Sequence, residues 1–194
     1  MARPVAADYN DKRRHLLKTA AHVFAREGYH GASMAMVANE AGISKANLYH
    51  YCKAKDDLLF EIIETQLQDL VDALNAAQDR ALTPREQLTA NVVTLIQVYR
   101  DADDEHKVQI REMQALSDDK RQQLYAIERY LVQAISEALV NACPTLHETP
   151  DRIKPITMSL FGMMNWQFMW FRENGAMTRE QYGEMIVAMV LDGV

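Results

Sequence analysis

The stretch from Ser33 to Lys55 constrains the fold of this chain more than any other part of the sequence. It predicts two short helices, preceded by Ser33 and Ser44, with Gly42 in the turn between them. A serine hydroxyl before a helix can accept a hydrogen bond from a backbone N–H of the first turn, and glycine readily takes the conformation that ends a helix. Two short helices around a glycine-containing turn form a helix-turn-helix, and in its DNA-binding version the second helix enters the major groove.

The composition indicates an all-α protein of ordinary globular type. Hydrophobic residues make up 48% of the 194 positions and charged residues 25%, which is typical of a globular chain with a sizeable core. Gly and Pro are scarce, and strand-like alternation with hairpin turns does not occur. The apolar runs are too short for a membrane span, and the N-terminal residues lack the apolar core of a secretion signal. We therefore expect an all-α, cytoplasmic protein.

Charge is distributed unevenly along the chain. Residues 1–55 carry nine Lys or Arg and four Asp or Glu, a net charge of +5. Residues 56–194 carry twelve Lys or Arg and twenty-three Asp or Glu, a net charge of −11. A basic head on an acidic body suggests a polyanionic partner for the head alone. The alternative is an ordinary solvated charged surface on each part.

Helix start and stop signals divide the chain into about nine helices. Asp8 or Asn10 is the expected cap of the first helix, which should stop at Gly28, and residues 1–7 are expected to form a loose tail. Thr83–Glu86 marks another start, with a capping box and a proline in the first turn. Beyond the helix-turn-helix, helices are expected at about 55–77, 84–100, a short one ending near 115, 118–142, 151–172 and 178–191.

The residues of the helix-turn-helix, and of the helix before it, follow an order that is specific to one family. The matching segments are AAHVFAREGYHGAS and VANEAGISKANLYHYCKAKDDLL. With these residues, the first 55–60 positions resemble the DNA-binding domain of the TetR family of bacterial transcriptional repressors. The last segment, LFGMMNWQFMWFRENGAMTREQYGEMIVAMVLDGV, resembles the closing two helices of members that sense acyl-CoA or related thioesters.

The resemblance implies an architecture and a mode of action. It implies a helix-turn-helix DNA-binding domain at 1–55, extending into a linking helix at 55–77, and a ligand-binding and dimerisation domain at 56–194. The implied protein is a bacterial, nucleoid-associated homodimer on a palindromic, double-stranded DNA operator. The closing helices of its two subunits would form a four-helix bundle, and a small molecule bound in each body would release the DNA.

Candidate DNA contacts lie on and beside the second helix of the motif. Lys45 can donate to guanine O6 and N7, and Asn47 can pair with adenine. Tyr49 and Tyr51 fall at positions that commonly touch DNA in the resembling family, and Tyr49 is the better candidate. The full set of expected contacts is Ser33, Ser44, Lys45, Asn47, Tyr49, His50, Tyr51 and Lys55. For the two serines, helix capping alone is the alternative, but capping is compatible with phosphate contact, so both roles can hold. His50 is as readily explained as an exposed side chain.

Methionine and aromatic residues are concentrated near the C-terminus, where they suggest an interface, a ligand pocket or both. These large side chains are too many to fit on one face of a helix, so we expect both faces of the helix to be buried against other parts of the protein or a partner subunit. The expected ligand-pocket residues are Met113, Trp166, Met169, Trp170 and Arg172. The expected dimer-interface residues are Met158, Phe161, Met164, Phe168, Met185 and Met189. Arg172 could hold a ligand carboxylate or phosphate, or could simply favour a helix C-terminus.

No arrangement of residues favours catalysis, a cofactor or a metal. His106 and His147 match no metal-ligand spacing and are interpreted as parts of solvated polar corners. Cys52 and Cys143 are interpreted as buried, reduced thiols rather than a disulfide. We therefore expect a regulator and not an enzyme.

The effector is expected to be hydrophobic or amphipathic. A CoA thioester is one candidate, although the acidic body offers few basic residues for its phosphates. Two alternatives stay open: an activator or effector-independent regulator of the same fold, and a small-molecule-binding protein without DNA binding.

Overall fold

Helices form every regular element in the described part of the chain, which confirms the all-α prediction. The structure is a computed structural model that describes residues 3–100 and 102–193. In this part, three 3₁₀ turns occur at Met113–Ala115, Pro144–Glu148 and Gln167–Met169. The nine described α-helices are α1 (Arg3–Gly31), α2 (Met34–Glu40), α3 (Lys45–Tyr51), α4 (Lys55–Ala76), α5 (Pro84–Tyr99), α6 (Asp103–Glu112), α7 (Asp118–Ala142), α8 (Pro150–Asn165) and α9 (Arg179–Asp192). None of them is both long and apolar enough to cross a membrane.

Helix α1 begins earlier than the sequence predicted. It is helical from Arg3, so residues 3–7 are not a loose tail, and Asp8 and Asn10 lie within the helix instead of capping it. Residues 1 and 2 of the predicted tail lie outside the described residues. Pro4 explains the early start, because proline is favoured in a first helical turn, and the alanines that follow have high helix propensity.

Glycines and capping side chains act where the sequence predicted. Gly28 interrupts α1 with φ 72°, and Gly42 takes φ 64° in the turn between α2 and α3. Ser33 and Ser44 cap α2 and α3. At the start of α5, Thr83 N donates to Glu86 Oε2 at 2.8 Å while Thr83 Oγ1 accepts from Glu86 N at 3.3 Å, which completes the predicted capping box.

The described chain forms two compact units, each assembled from two separated stretches. Unit 1 contains the described residues up to Leu67 together with Ala102–Tyr125. Unit 2 contains residues 68–100 and 126–193. Helices α4 and α7 each begin in unit 1 and continue into unit 2.

In unit 1, helix α1 packs on α2 and α6, and α2 packs on α3. The buried side chains of α1 recur at helical spacing and are fully or almost fully shielded from water. They are Leu16, Leu17, Ala20, Ala21, Val23 and Phe24. This core holds the two short helices in place, since each is too short to be stable alone.

In unit 2, helix α9 packs closely on α5 and also contacts α8. The approach to α5 depends on Gly183, because a Cβ atom at this position would lie 2.7 Å from Val93 Cγ2. Real Cβ contacts are not this short, so a side chain here would push the two helices apart.

Helix α8 ends at Asn165 and does not reach residue 172 as predicted. The chain turns instead through Gln167–Met169, and Arg179 of α9 holds this connector. The guanidinium of Arg179 donates to Gln167 Oε1 at 2.7 Å and to Glu173 Oε1 at 2.5 Å, and it lies 4.9 Å from the ring centroid of Phe171. Arg179 is only 7% exposed, so these partners compensate a nearly buried charge.

Candidate nucleic-acid interface

Helix α3 presents most of its side chains to solvent. Leu48 is fully buried and anchors the helix to unit 1, whereas Lys45, Asn47, Tyr49 and His50 are exposed. The ammonium of Lys45 lies 5.9 Å from the ring centroid of Tyr49. The exposed side of α3 therefore combines a cation, an amide and an aromatic hydroxyl.

The capping serines keep hydrogen-bonding capacity for an anion. Ser44 Oγ accepts from the backbone N–H of Asn47 at 3.1 Å, and Ser33 Oγ accepts from Met36 N at 3.2 Å. Both serines are exposed, so each hydroxyl can cap its helix and still donate its own hydrogen outward. Capping and phosphate contact are thus compatible at both positions.

The two tyrosines of α3 differ in their surroundings. Tyr51 is half-buried, and its ring stacks on that of Tyr9 of α1, with centroids 5.3 Å apart and planes inclined by 21°. Tyr49 is 42% exposed, and the described residues form no aromatic stack with it. Tyr49 is therefore free to reach a partner, whereas Tyr51 helps to hold α3 against α1.

Lys55 is committed to the protein backbone. Its ammonium donates to the carbonyl oxygens of Tyr29 at 2.7 Å and Ala32 at 2.8 Å, and it lies 4.4 Å from the ring centroid of Tyr29. These carbonyls belong to the end of α1 and the loop that follows it. The side chain thereby ties the start of α4 to the chain that leads into α2, a role that its sequence position did not predict.

A second lysine, Lys120 of α7, also binds the start of α4. Lys120 Nζ, in the first turn of α7, donates to Asp56 Oδ2 at 2.5 Å and Asp57 Oδ1 at 2.7 Å. Burial by itself would lower the pKa of Lys120, but the hydrogen bonds to these carboxylates raise it. The two aspartates also sit in the first turn of α4, where negative charge favours the helix dipole.

The two histidines and the two cysteines considered as candidate ligands or thiols differ in burial. His147 is exposed, but His106 is 3% exposed and belongs to the core of unit 1, so its interpretation as a solvated residue was wrong. The carboxylates that surround His106 in the sequence predict a polar corner, but the helical spacing of α6 turns this side chain inward. Cys52 and Cys143 are free thiols, Cys52 buried and Cys143 half-buried. Within the described residues, no group of three or more His, Cys, Asp or Glu is placed to hold a metal ion.

The five expected ligand-pocket residues do not gather around one described cavity. Met113 is buried in unit 1. Trp166, Met169 and Trp170 lie in unit 2 on the connector after α8, where they are 57%, 51% and 49% exposed. Arg172 is also exposed. These three connector residues therefore form part of an exposed surface.

The expected dimer-interface residues divide into exposed and buried groups. Phe161 and Met164 are 7% and 0% exposed, so they belong to the core of unit 2 and are corrected from interface to core. Phe168 is half-buried. The exposed members are Met158, Met185 and Met189. These three, with the connector residues, make an apolar surface on α8, α9 and the chain between them.

A cleft that the sequence did not predict lies within unit 2. It has a volume of about 490 Å³ and lies between the end of α4, the start of α5 and the second half of α7. Its polar lining includes Asn75, Gln78, Gln87 and Asn91, four amides within seventeen positions. The frequency of Asn and Gln in this segment is the sequence feature that could have indicated a polar site. Only the fold shows that these side chains line one surface.

Two family models together match most of the chain. Residues 16–62 match the model described as "Bacterial regulatory proteins, tetR family". Residues 81–194 match the model described as "Tetracyclin repressor-like, C-terminal domain".

Individual proteins and structures are similar over nearly the whole chain. The HTH-type transcriptional repressor KstR2 of Mycobacterium tuberculosis is 26% identical over 98% of this chain and 96% of its own length. A TetR-family transcriptional regulator from Bordetella parapertussis is 28% identical, with a TM-score of 0.86 over 93% of this chain and 94% of that one. AibR in complex with isovaleryl coenzyme A and operator DNA is also 28% identical, with a TM-score of 0.78 over 93% and 98% of the two chains.

Proposed function

Because this chain belongs to the TetR family of bacterial transcriptional regulators, we propose that it acts as a homodimeric repressor on a palindromic operator and that a small hydrophobic or amphipathic effector releases it. The observation that carries the proposal is the exposed side of α3, which offers Lys45, Asn47 and Tyr49 on a helix anchored by one buried leucine. In a DNA-binding helix-turn-helix this helix enters the major groove. Residues 1–55 then form the DNA-binding domain, and 56–194 bind the ligand and the partner subunit.

The proposed DNA contacts combine base recognition with phosphate binding. Lys45 reaches guanine O6 and N7, and Asn47 pairs with adenine. Tyr49 and His50 contact the backbone or a thymine methyl, while the hydroxyls of Ser33 and Ser44 donate to phosphates. Lys55 and Tyr51 contribute mainly by holding α3 and α4 in place. Phosphate contacts give affinity and base contacts give specificity.

The proposed dimer uses the apolar surface of α8, α9 and their connector. Met158, Trp166, Met169, Met185 and Met189 are each more than a third exposed, which is unusual for so many large apolar side chains on neighbouring elements. A two-fold dimer also suits recognition, because one short helix covers few bases and two half-sites multiply specificity.

The proposed effector is amphipathic or hydrophobic, and a CoA thioester is one candidate class. The similar AibR has a structure with isovaleryl coenzyme A and operator DNA, which supports this class. The net charge of −11 on residues 56–194 opposes the phosphates of CoA. Native mass spectrometry of the purified protein identifies a co-purified effector, and adding isovaleryl coenzyme A to a protein–DNA complex tests release directly.

The DNA-binding surface is tested by replacing Lys45 and Tyr49 separately with Ala. Each change should weaken binding to the DNA upstream of the chain's own gene by about tenfold to a hundredfold, because a good base contact is worth about 1–3 kcal/mol. Affinity is measured by electrophoretic mobility shift, and helicity by circular dichroism. The affinity of the unmodified protein should also fall steeply as salt rises.

Arg129→Ala, on an exposed position of α7 outside the proposed DNA-binding and dimer surfaces, is the matched control for the loss of one positive charge. It should leave DNA affinity unchanged within about twofold. If Lys45→Ala and Arg129→Ala weaken binding equally, α3 is not the DNA-reading helix.

A further inference from the structure

The cleft in unit 2 has the size of a small-molecule site. Its volume of about 490 Å³ lies within the range of roughly 300–1,000 Å³ that is usual for such sites. Buried Leu74 and Asn91 lie at its base, and Tyr130 of α7 lines one wall. All of its lining residues belong to unit 2.

Backbone groups fix the orientation of the amides in the cleft. Gln87 Oε1 accepts from Asp79 N at 2.9 Å, and Gln87 Nε2 donates to Ala77 O at 3.0 Å. Gln78 Nε2 likewise donates to Leu74 O at 2.9 Å. Since a backbone N–H can only donate and a carbonyl oxygen can only accept, each glutamine has one possible orientation.

This orientation determines which end of Asn91 is available. Its Oδ1 accepts from Gln78 Nε2 at 3.0 Å and Gln87 Nε2 at 2.8 Å. The side chain of Asn91 is 2% exposed, and the described hydrogen bonds include none from its Nδ2. Nδ2 is not among the fully shielded side-chain atoms that lack a partner, so it opens onto the cleft that Asn91 lines and can donate to an acceptor of a bound ligand.

The lining of the cleft includes two exposed carboxylates that form no ion pair with a described cation. Its lining includes Asp79 and Glu137 but no Lys, Arg or His among the described residues. The carboxylate of Asp79 accepts from Ala81 N at 2.9 Å, and that of Glu137 accepts from Gln133 Nε2 at 2.8 Å. Neither carboxylate forms an ion pair within residues 3–100 and 102–193. Two uncompensated carboxylates in a concave surface attract a cation and repel an anion.

We propose that this cleft binds a small organic cation that also carries a carbonyl or hydroxyl acceptor. The cationic group pairs with Asp79 and Glu137, and the acceptor receives the Nδ2 hydrogen of Asn91. The hydroxyl of Tyr130 donates to Asn75 Oδ1 at 2.7 Å, which keeps its ring at the wall of the cleft, where a cation can also contact the ring face. The volume of the cleft is much larger than a metal ion needs, which favours an organic molecule. This binding site stands independently of the proposed operator binding.

Three compounds of matched length test the charge and the acceptor separately. 4-Aminobutanamide is a cation with an amide, pentanamide is its neutral analogue, and succinamate is the anionic analogue. They are titrated into the full-length protein without DNA, and binding is measured by calorimetry and by the side-chain NH₂ signals of the protein in ¹⁵N NMR. The cation should bind about tenfold or more tightly than the anion, with the neutral amide in between.

The variants Glu137→Gln and Asp79→Asn should each reduce the preference for the cation over the neutral amide by about threefold or more. Glu180→Gln removes an exposed carboxylate of α9 outside the cleft and should leave that preference unchanged. The proposal would be overturned if the three compounds bound with equal affinity or if none of them bound. It would also be overturned if all three variants had the same effect. Because no DNA is present, a failure here is distinguishable from a failure of operator binding in the mobility-shift assay.

Discussion

At Lys55, two of the three ammonium hydrogens are used by the carbonyl oxygens of Tyr29 and Ala32. The sequence placed this lysine at a helix start, which is a common phosphate site. In the structure, replacing Lys55 would destabilise the fold, because both carbonyl oxygens would lose a charged hydrogen-bond donor. A positive charge beside the proposed DNA-binding helix therefore stabilises the fold.

The substitution Lys55→Met should lower the free energy of unfolding by about 1–3 kcal/mol, because hydrogen bonds from a charged donor are lost in a partly buried place. Urea denaturation measures the change. Lys53→Met is the control: this neighbouring lysine is exposed, and its loss should change stability by less than about 0.5 kcal/mol. Equal stability of the two variants would show that Lys55 does not hold the loop.

The two cysteines should differ in reactivity. Burial raises the pKa of Cys52 to about 11, and its thiol lies 3.0 Å from Ala54 O, to which it donates. A raised pKa keeps a thiol protonated, so at pH 8 only about one Cys52 thiol in a thousand is ionised. With a disulfide reagent at pH 8, Cys143 should react quickly in the native protein and Cys52 only after unfolding. In the Cys143→Ser variant the rapid phase should disappear; two rapid thiols in the native protein would contradict the burial of Cys52.

At the scale of helices, the sequence predicted the elements whose ends carry local signals. Ser33, Ser44 and Thr83 cap helices through bonds to residues three positions on, and Gly42 supplies a conformation that other residues rarely adopt. These interactions are short-range, so they are visible in the sequence. The end of α8 is different, because Gln167, two residues beyond it, is hydrogen-bonded by the guanidinium of Arg179 from the following helix. No local pattern near residue 165 reports that contact.

The packing of α9 on α5 is likewise a non-local feature, and Gly183 tests it. Gly183→Ala should destabilise the protein by about 1–3 kcal/mol, because the new methyl group meets Val93 at 2.7 Å from Cγ2 and 3.3 Å from Cα. A Gly→Ala change inside a helix is otherwise stabilising by about 0.5–1 kcal/mol, so the expected sign is reversed. Thermal unfolding followed by circular dichroism measures the effect.

Gly31→Ala supplies the matched control, because nothing lies within 4 Å of a Cβ built there. Its stability should stay within about 0.5 kcal/mol of the unmodified protein. A Gly183→Ala variant as stable as this control would mean that α9 can move away from α5 at little cost.

Across the two units, the sequence is informative about the proposed DNA-binding residues and much less so about the cleft proposed to bind a ligand. The helix-turn-helix is one continuous stretch, so its exposed residues could be named in advance. The cleft instead combines Asn75 and Asn91, from the consecutive helices α4 and α5, with Tyr130 from α7, which is distant in sequence. Its acidic and amide-rich lining also differs from the apolar site that the methionine content suggested.

The proposed dimer is tested by placing a charge on its apolar surface. Met189 is 61% exposed on α9, and Met189→Asp should shift the protein from dimer to monomer in analytical ultracentrifugation, because an unpaired carboxylate is costly in an interface core. Ile110→Asp is the control, since Ile110 is 47% exposed on α6, outside the proposed surface. A Met189→Asp protein that stays dimeric would move the interface elsewhere.

The interleaving of the two units in sequence has a consequence for how the chain folds. Unit 1 is complete only when Ala102–Tyr125 joins the residues up to Leu67, and residues 68–100 of unit 2 lie between them. The α1–α6 contacts therefore close a loop of about seventy residues between Gly31 and Asp103, at an entropic cost that local helix formation does not carry. A ribosome that has released only the first 67 residues has not yet supplied α6. The DNA-binding end is thus finished late in synthesis, after part of the other unit has already emerged.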